Sequence, residues 1–307
     1  RLVGHVRDSL VAQFVFVFSA RGPPRSTPSN SSAASEVYKR QMSVFSFDPS
    51  SRLSIVALRV KNRDQMINFY CEMLGFKLKT EENELAILVA EDGSHERIWL
   101  EESPRATERF GEVKRLNYYK VEVPTLSEFA AVYSRLVHAK YPVIQAEFTP
   151  DLCQFTIVDP EGNQLAIRTP ETVSIDETSL LTSADPNKKL SSKARIAALG
   201  LHAQDVQEEC QFLADLLGFE FDENNIAFQT LADGEFGISI VKHDTENVKI
   251  PSHQILGLDF LKFQLQDEQF EQLLKHVQES QMKHYLDSKQ KILTVYDPVG
   301  VEWWFLR

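Results

Sequence analysis

Apolar and polar positions alternate along residues 53–60 (LSIVALRV), which predicts a strand with Val56, Leu58 and Val60 on one face and Ile55, Ala57 and Arg59 on the other. Helical spacing replaces alternation at residues 64–73 (DQMINFYCEM). There Met66, Ile67, Phe69, Tyr70 and Met73 form an apolar stripe, Asn62 caps the start and Gly75 stops the helix. Strand-like segments return at 78–80, 85–90 and 97–101, with Glu91-Asp92-Gly93 as the turn between the last two. The unit is β-α-β-β-β.

The pattern then repeats. Residues 116–123 (LNYYKVEV), 143–146, 154–158 and 164–168 read as strands, and 125–138 as a helix with Leu126, Phe129, Val132, Tyr133 and Leu136 on one side. A reverse turn at 159–163 (DPEGN) joins the last two strands: Pro160 fixes one dihedral, and Gly162 and Asn163 tolerate positive φ. Residues 171–195 are rich in Ser, Thr, Asp and Lys and read as an interdomain linker. Beyond it FLADLLGF (212–219) answers FYCEMLGF (69–76), ENNIA answers ENELA, ADG answers EDG, and YDPVG (296–300) repeats the reverse turn ahead of VEWWFL. Strands at 196–201, 259–265 and within 292–306, with helices at 205–217 and 268–281, complete four units. One unit cannot bury its own sheet face, so neighbouring units are expected to pair, giving domains at 53–170 and 196–307.

Composition narrows the classes of function. A chain of 307 residues, 43% apolar and 10% aromatic, suits two well-filled domains. Its net charge of −11 argues against non-specific binding to nucleic acid or acidic membranes. No run reaches the ~18 apolar residues of a membrane span. Cys71, Cys153 and Cys210 lie far apart, with neither CxxC nor Cys/His spacing, so a reducing, cytoplasmic setting is expected and each thiol reads as packing. Residues 1–41 stand apart, because they contain RGPPRSTPSNSSAAS and end in EVYKRQ, which resembles the translation of a transposase adapter, directly before Met42. They read as a non-native or disordered extension, with a secretory signal at 10–20 (LVAQFVFVFSA) as the alternative. They carry six Lys/Arg and two Asp/Glu, which leaves the body at −15.

Two motifs in order, ALRVKNRD…FYCEMLGFKL and VDPEGNQLAI, resemble the vicinal oxygen chelate superfamily of glyoxalase I, extradiol dioxygenases and bleomycin-resistance proteins. More narrowly, residues 57–88 together with LEESPRATERFGEVKRLN resemble the CppA family of streptococci and lactic bacteria, whose members are labelled complement-degrading proteinases. The resemblance implies an α+β fold of two tandem vicinal-oxygen-chelate-like domains, each made from paired β-α-β-β-β units that form a half-closed eight-stranded cup. It also implies four metal-ligand positions per cup, usually His and Glu. Parity puts these on Ile55, Tyr118 and Ala166 in the first domain, where only Glu101 offers a donor, and on Ala198, Phe260 and Trp304 in the second. A single carboxylate falls short of the three protein ligands of a catalytic site, so neither a metal nor a cofactor is expected.

The same parity places Arg59, Trp99, Glu101, Tyr118, Lys120, Glu122, Gln164 and Arg168 in the first cup, and Gly200, His202, Phe260, Lys262, Gln264, Glu302 and Trp304 in the second. The first set suits an anionic or planar ligand and the second an apolar one; mutual ion pairing is the alternative. His202 with Glu302 is a candidate proton-transfer pair. For proteolysis the chain has no GxSxG and no HExxH, and Cys153 is the one thiol beside a polar turn. The expected function is a metal-independent binding protein for a small molecule or peptide, monomeric or dimeric. The alternatives are a peptidase acting on complement, secreted or surface-associated as the family label implies, or a non-metal lyase or isomerase.

Overall fold

The computed structural model describes residues 45–91, 93, 95–103, 115–171, 175–243 and 255–307. The expected extension at 1–41 and the polar stretch 104–114 lie outside these residues. The first unit comprises β1 (Arg52–Val60), helix α1 (Arg63–Asn68) continuing as a π-helical turn (Phe69–Leu74), β2 (Lys77–Glu82), β3 (Leu85–Val89) and β4 (Glu96–Glu102). The second comprises β5 (Leu116–Glu122), α2 (Leu126–His138), β6 (Gln145–Phe148), β7 (Cys153–Val158) and β8 (Gln164–Thr169). A short helix α3 (Glu177–Ser183) follows. The third holds β9 (Arg195–Ala203), α4 (Val206–Leu217), β10 (Ile226–Leu231) and β11 (Gly234–Lys242). The fourth holds β12 (Gly257–Gln264), α5 (Asp267–Glu279), β13 (His284–Leu286), β14 (Ile292–Tyr296) and β15 (Glu302–Leu306).

Local signals in the sequence explain the helix ends. The side chains of Asn62, Thr125 and Asp205 accept hydrogen bonds from backbone amides three residues on, at the starts of α1, α2 and α4. Gly75 closes the first helix in the left-handed region at φ 89°, and a Cβ there would meet Arg135 Nη2 at 2.6 Å.

The strands assemble into an eight-stranded sheet of order β13-β14-β15-β12-β1-β4-β3-β2 and a seven-stranded sheet of order β10-β11-β9-β5-β8-β7-β6. Pairing by sequence neighbours, expected above, is therefore corrected. The first unit shares its sheet with the fourth through antiparallel β1 and β12, and the second with the third through antiparallel β5 and β9. All four first strands carry the same apolar alternation, so any two suit each other as partners and parity alone does not choose between them. The third unit contributes three strands, so its sheet has seven strands among the described residues.

The apolar faces of both sheets, with the helices, form one continuous core, in which Phe236 of β11 meets Phe263 of β12 edge to face at 6.2 Å. Two reverse turns tie the sheets across it. In the eight-stranded half Tyr70 reaches over to Tyr119 and to Asp159, whose carboxylate also accepts the amides of Glu161 and Asn163. Asp297, in the matching turn of the fourth unit, accepts from Val301 N at 2.7 Å and Trp303 Nε1 at 2.9 Å, beside Glu209 of α4.

The stretch read as a linker is a packed strap. Leu180 and Leu190 are buried, and Leu190 exchanges backbone hydrogen bonds with Gly75 and Glu91 of the first unit. Arg135 donates to the Pro186 and Lys188 carbonyls, and Arg97 to those of Ser192 and Ala194. Among the described residues no helix is long and apolar enough to cross a membrane.

Candidate functional site

Strand parity holds, but the cups regroup because the units pair differently. On the open face of the eight-stranded sheet, Ile55, Ala57 and Phe260 cluster with Trp99 and Trp304, apart from the main core. Phe260 stacks on Trp304 at 4.1 Å and meets Trp99 edge to face at 5.4 Å, while Lys262 Nζ lies 5.1 Å from the Trp99 ring centroid. Beside this floor Arg59 donates to Glu101 at 2.8 Å, to Ser103 at 2.9 Å and to Asp259 at 2.9 Å. The sequence reading missed Asp259. It occupies an irregularity in the β1–β12 register, between the partners of Ala57 and Leu58, and so turns toward Arg59 although simple alternation puts it on the core face. Burial pushes its carboxyl up to about 6, against the pull of Arg59. The acid inside the run LDFLKF was the available signal.

The open face of the seven-stranded sheet carries Tyr118, Lys120, Glu122, Gln164 and Arg168 with Gly200 and His202. Tyr118 lies flat across β9 because Gly200 has no side chain: a Cβ there would meet the ring at 2.6 Å. Ser239 Oγ donates to the Tyr118 hydroxyl at 3.4 Å. Arg195 grips Glu122 through Nε at 3.0 Å and Nη2 at 2.7 Å. Lys120 is 7% exposed, and burial with the neighbouring Arg168 brings its amine down to about 8.

The expected assemblies are thus redistributed. Arg59, Trp99, Glu101, Lys262 and Trp304 share one cup, and Tyr118, Lys120, Arg168 and His202 the other. His202 and Glu302, the candidate proton-transfer pair, lie in different sheets. His202 neighbours His243 and is brought down to about 4 by burial and that second ring, while Glu302 accepts from Trp304 Nε1 at 2.9 Å. Cys153 is 2% exposed in the main core, where it packs with the helix-facing residues of β7, so the polar turn beside it in sequence does not expose the thiol. A cavity of about 380 Å³ opens away from both cups, where Met73, Arg135, His138 and Lys189 line the meeting of helix ends and strap. Its Arg135 is committed to the Met73 and Leu74 carbonyls.

The observed register also tests the metal positions. Ile55, Trp99, Phe260 and Trp304 occupy equivalent places in one cup, and Tyr118, Ala166, Ala198 and Ser239 in the other. Glu101, the donor expected above, lies one inward-facing step further along β4, where Arg59 holds it. Aliphatic and aromatic carbons dominate both sets, a composition unlike any divalent-metal donor set. No group of three or more His, Cys, Asp or Glu is arranged to hold an ion among the described residues.

Paired units, first strands side by side and open faces turned from a shared core define the fold of the glyoxalase and dioxygenase-type proteins. Glyoxalase I from Zea mays superimposes with a TM-score of 0.54 at 13% identity, covering 84% of this chain and 92% of that one. The cppA protein from Streptococcus pneumoniae TIGR4 gives 0.59 at 19% identity, covering 84% and 97%. In sequence, catechol-2,3-dioxygenase of Bacillus subtilis (strain 168) is 24% identical over 214 residues, 61% of this chain and 71% of that protein. The CppA N-terminal family model matches residues 53–178 and the CppA C-terminal model residues 191–305. The chain belongs to the CppA family.

Proposed function

We propose that this CppA-family protein captures small molecules or a peptide segment in its two cups without a divalent metal. The observation that supports this reading is the donor set: Ile55, Trp99, Phe260 and Trp304 in one cup, Tyr118, Ala166, Ala198 and Ser239 in the other. The first cup suits a planar ligand bearing charge, with Trp99 and Trp304 as stacking faces and the Arg59 group as its polar edge. Calorimetry and thermal shift with Zn, Ni, Mn and Fe test the metal half of the proposal. Heats indistinguishable from dilution are expected, and one tightly held ion per cup would overturn it. Complement cleavage is measured on the same preparation, where the burial of Cys153 leads us to expect no activity that depends on that thiol.

A further inference from the structure

The cavity of about 380 Å³ has a volume in the range of small-molecule sites, and it is walled by the ends of the first helix and α2 on one side and by Pro186, Asn187 and Lys189 of the strap on the other. Its charges are not paired as they are elsewhere. Arg52, Arg59, Arg63, Arg97, Arg195 and Arg307 each hold a carboxylate within 3.3 Å. Arg135 instead donates to the Met73, Leu74 and Pro186 carbonyls at 2.9 Å and to that of Lys188 at 2.6 Å, and among the described residues no carboxylate lies within ion-pairing distance of it. Glu72, the one acid on the lining, is exposed and acts on Arg135 only through space, and burial still brings that guanidinium down to about 10.

The cavity also keeps donors in reserve. Lys189 Nζ spends one of its three on the Cys71 carbonyl at 3.1 Å. His138 engages Ser134 Oγ through Nδ1 at 3.3 Å, and among the described residues neither its Nε2 nor the Asn187 side-chain amide has a partner. The carbonyls that Arg135 and Lys189 serve end the first helix, whose partial negative charge of about half a unit is less than the two cations brought to it. The last carbonyls of α2 are taken by the amides of Ala139, Lys140 and Tyr141. A positive remainder with unspent donors favours an oxyanion.

We propose that this cavity is an oxyanion site, taking the carboxylate or phosphate group of a small molecule, with Lys189, His138 and Asn187 as donors and Arg135 supplying fixed charge. The site is separate from both cups and goes beyond the capture reading. Glu72 opposes the anion and keeps its affinity modest. An occupied cavity joins the strap to the ends of both helices, because its lining comes from all three.

Titration of the full chain with inorganic phosphate and, separately, with succinate, at constant ionic strength and followed by amide proton–nitrogen correlation spectra, tests the proposal. Saturable shifts are expected at His138, Ala139, Asn187 and Lys189. A response to one probe assigns the site to that class of oxyanion, and a response to both to the group they share. Lys189→Gln, which keeps a donor and removes the charge, and His138→Gln are expected to weaken binding about three- to fivefold, and Glu72→Gln to tighten it by a similar factor. Thermal unfolding shows which variants are folded, and Glu72→Gln, at an exposed position, carries the test if Lys189→Gln is not. No saturable shift with either probe, or shifts spread over surface amides and unmoved by the substitutions, would overturn the proposal. So would weaker binding in Glu72→Gln, the mark of a ligand held by a positive group.

Discussion

Glu209 is fully buried, with the Asp297 carboxyl and the Val299 backbone beside it. Burial, with the Asp297 carboxylate beside it, pushes this group up to about 10, whereas in the unfolded chain it ionises near 4.5. The folded state thus holds a proton that the unfolded state releases, so the contribution of this group to stability is full below pH 4.5 and declines as pH rises toward 10. Glu209→Gln keeps the shape and cannot ionise. We expect parent and variant to unfold alike near pH 4, and the variant to be more stable by at least ~1 kcal/mol at pH 8, read as Tm against pH. The cup tyrosine offers a second test. Gly200→Ala drives a methyl into the Tyr118 ring, and a loss of about 1–3 kcal/mol is expected in denaturant unfolding.

At the scale of elements, the strap separates two readings of the same residues. As a loose linker, residues 171–195 would tolerate Leu190→Ala at no cost; as a packed strap whose Leu190 is 1% exposed, they should lose about 2–5 kcal/mol, measured by urea unfolding. The difficulty at the sequence level was physical: Leu180 and Leu190 are isolated apolar residues in a polar run, without the periodicity that marks a helix or strand. Where periodicity existed, it was readable. Val56, Leu58 and Val60 face the core and Ile55, Ala57 and Arg59 the cup, as alternation requires, and Asn62 and Gly75 bound their helix. The candidate site was legible as faces but not as neighbours. The Arg59–Asp259 contact depends on a register irregularity and on a strand about two hundred positions away, and alternation encodes neither.

Across the whole molecule, the family's N-terminal and C-terminal regions each give one unit to each sheet. Cutting the chain between 178 and 191 would leave β1 without β12 and β5 without β9. The two fragments are therefore expected to be weakly structured apart and to form a 1:1 complex with recovered near-ultraviolet dichroism when mixed, as followed by size exclusion. Two independently folded, non-associating halves would contradict the pairing.

The pairing of first with fourth and second with third is nested, like one bracket inside another, and the ribosome emits the chain from one end. The inner bracket closes as soon as the third unit emerges, whereas the outer one waits for β12 of the fourth unit, with β1 already long outside. During that interval Ile55, Val56, Leu58 and their neighbours lack the β12 edge that covers them in the finished protein. Nascent chains arrested before residue 257 should protect β5 and β9 amides from hydrogen exchange while β1 exchanges freely. A β1 edge waiting that long is where a chaperone would be expected to bind.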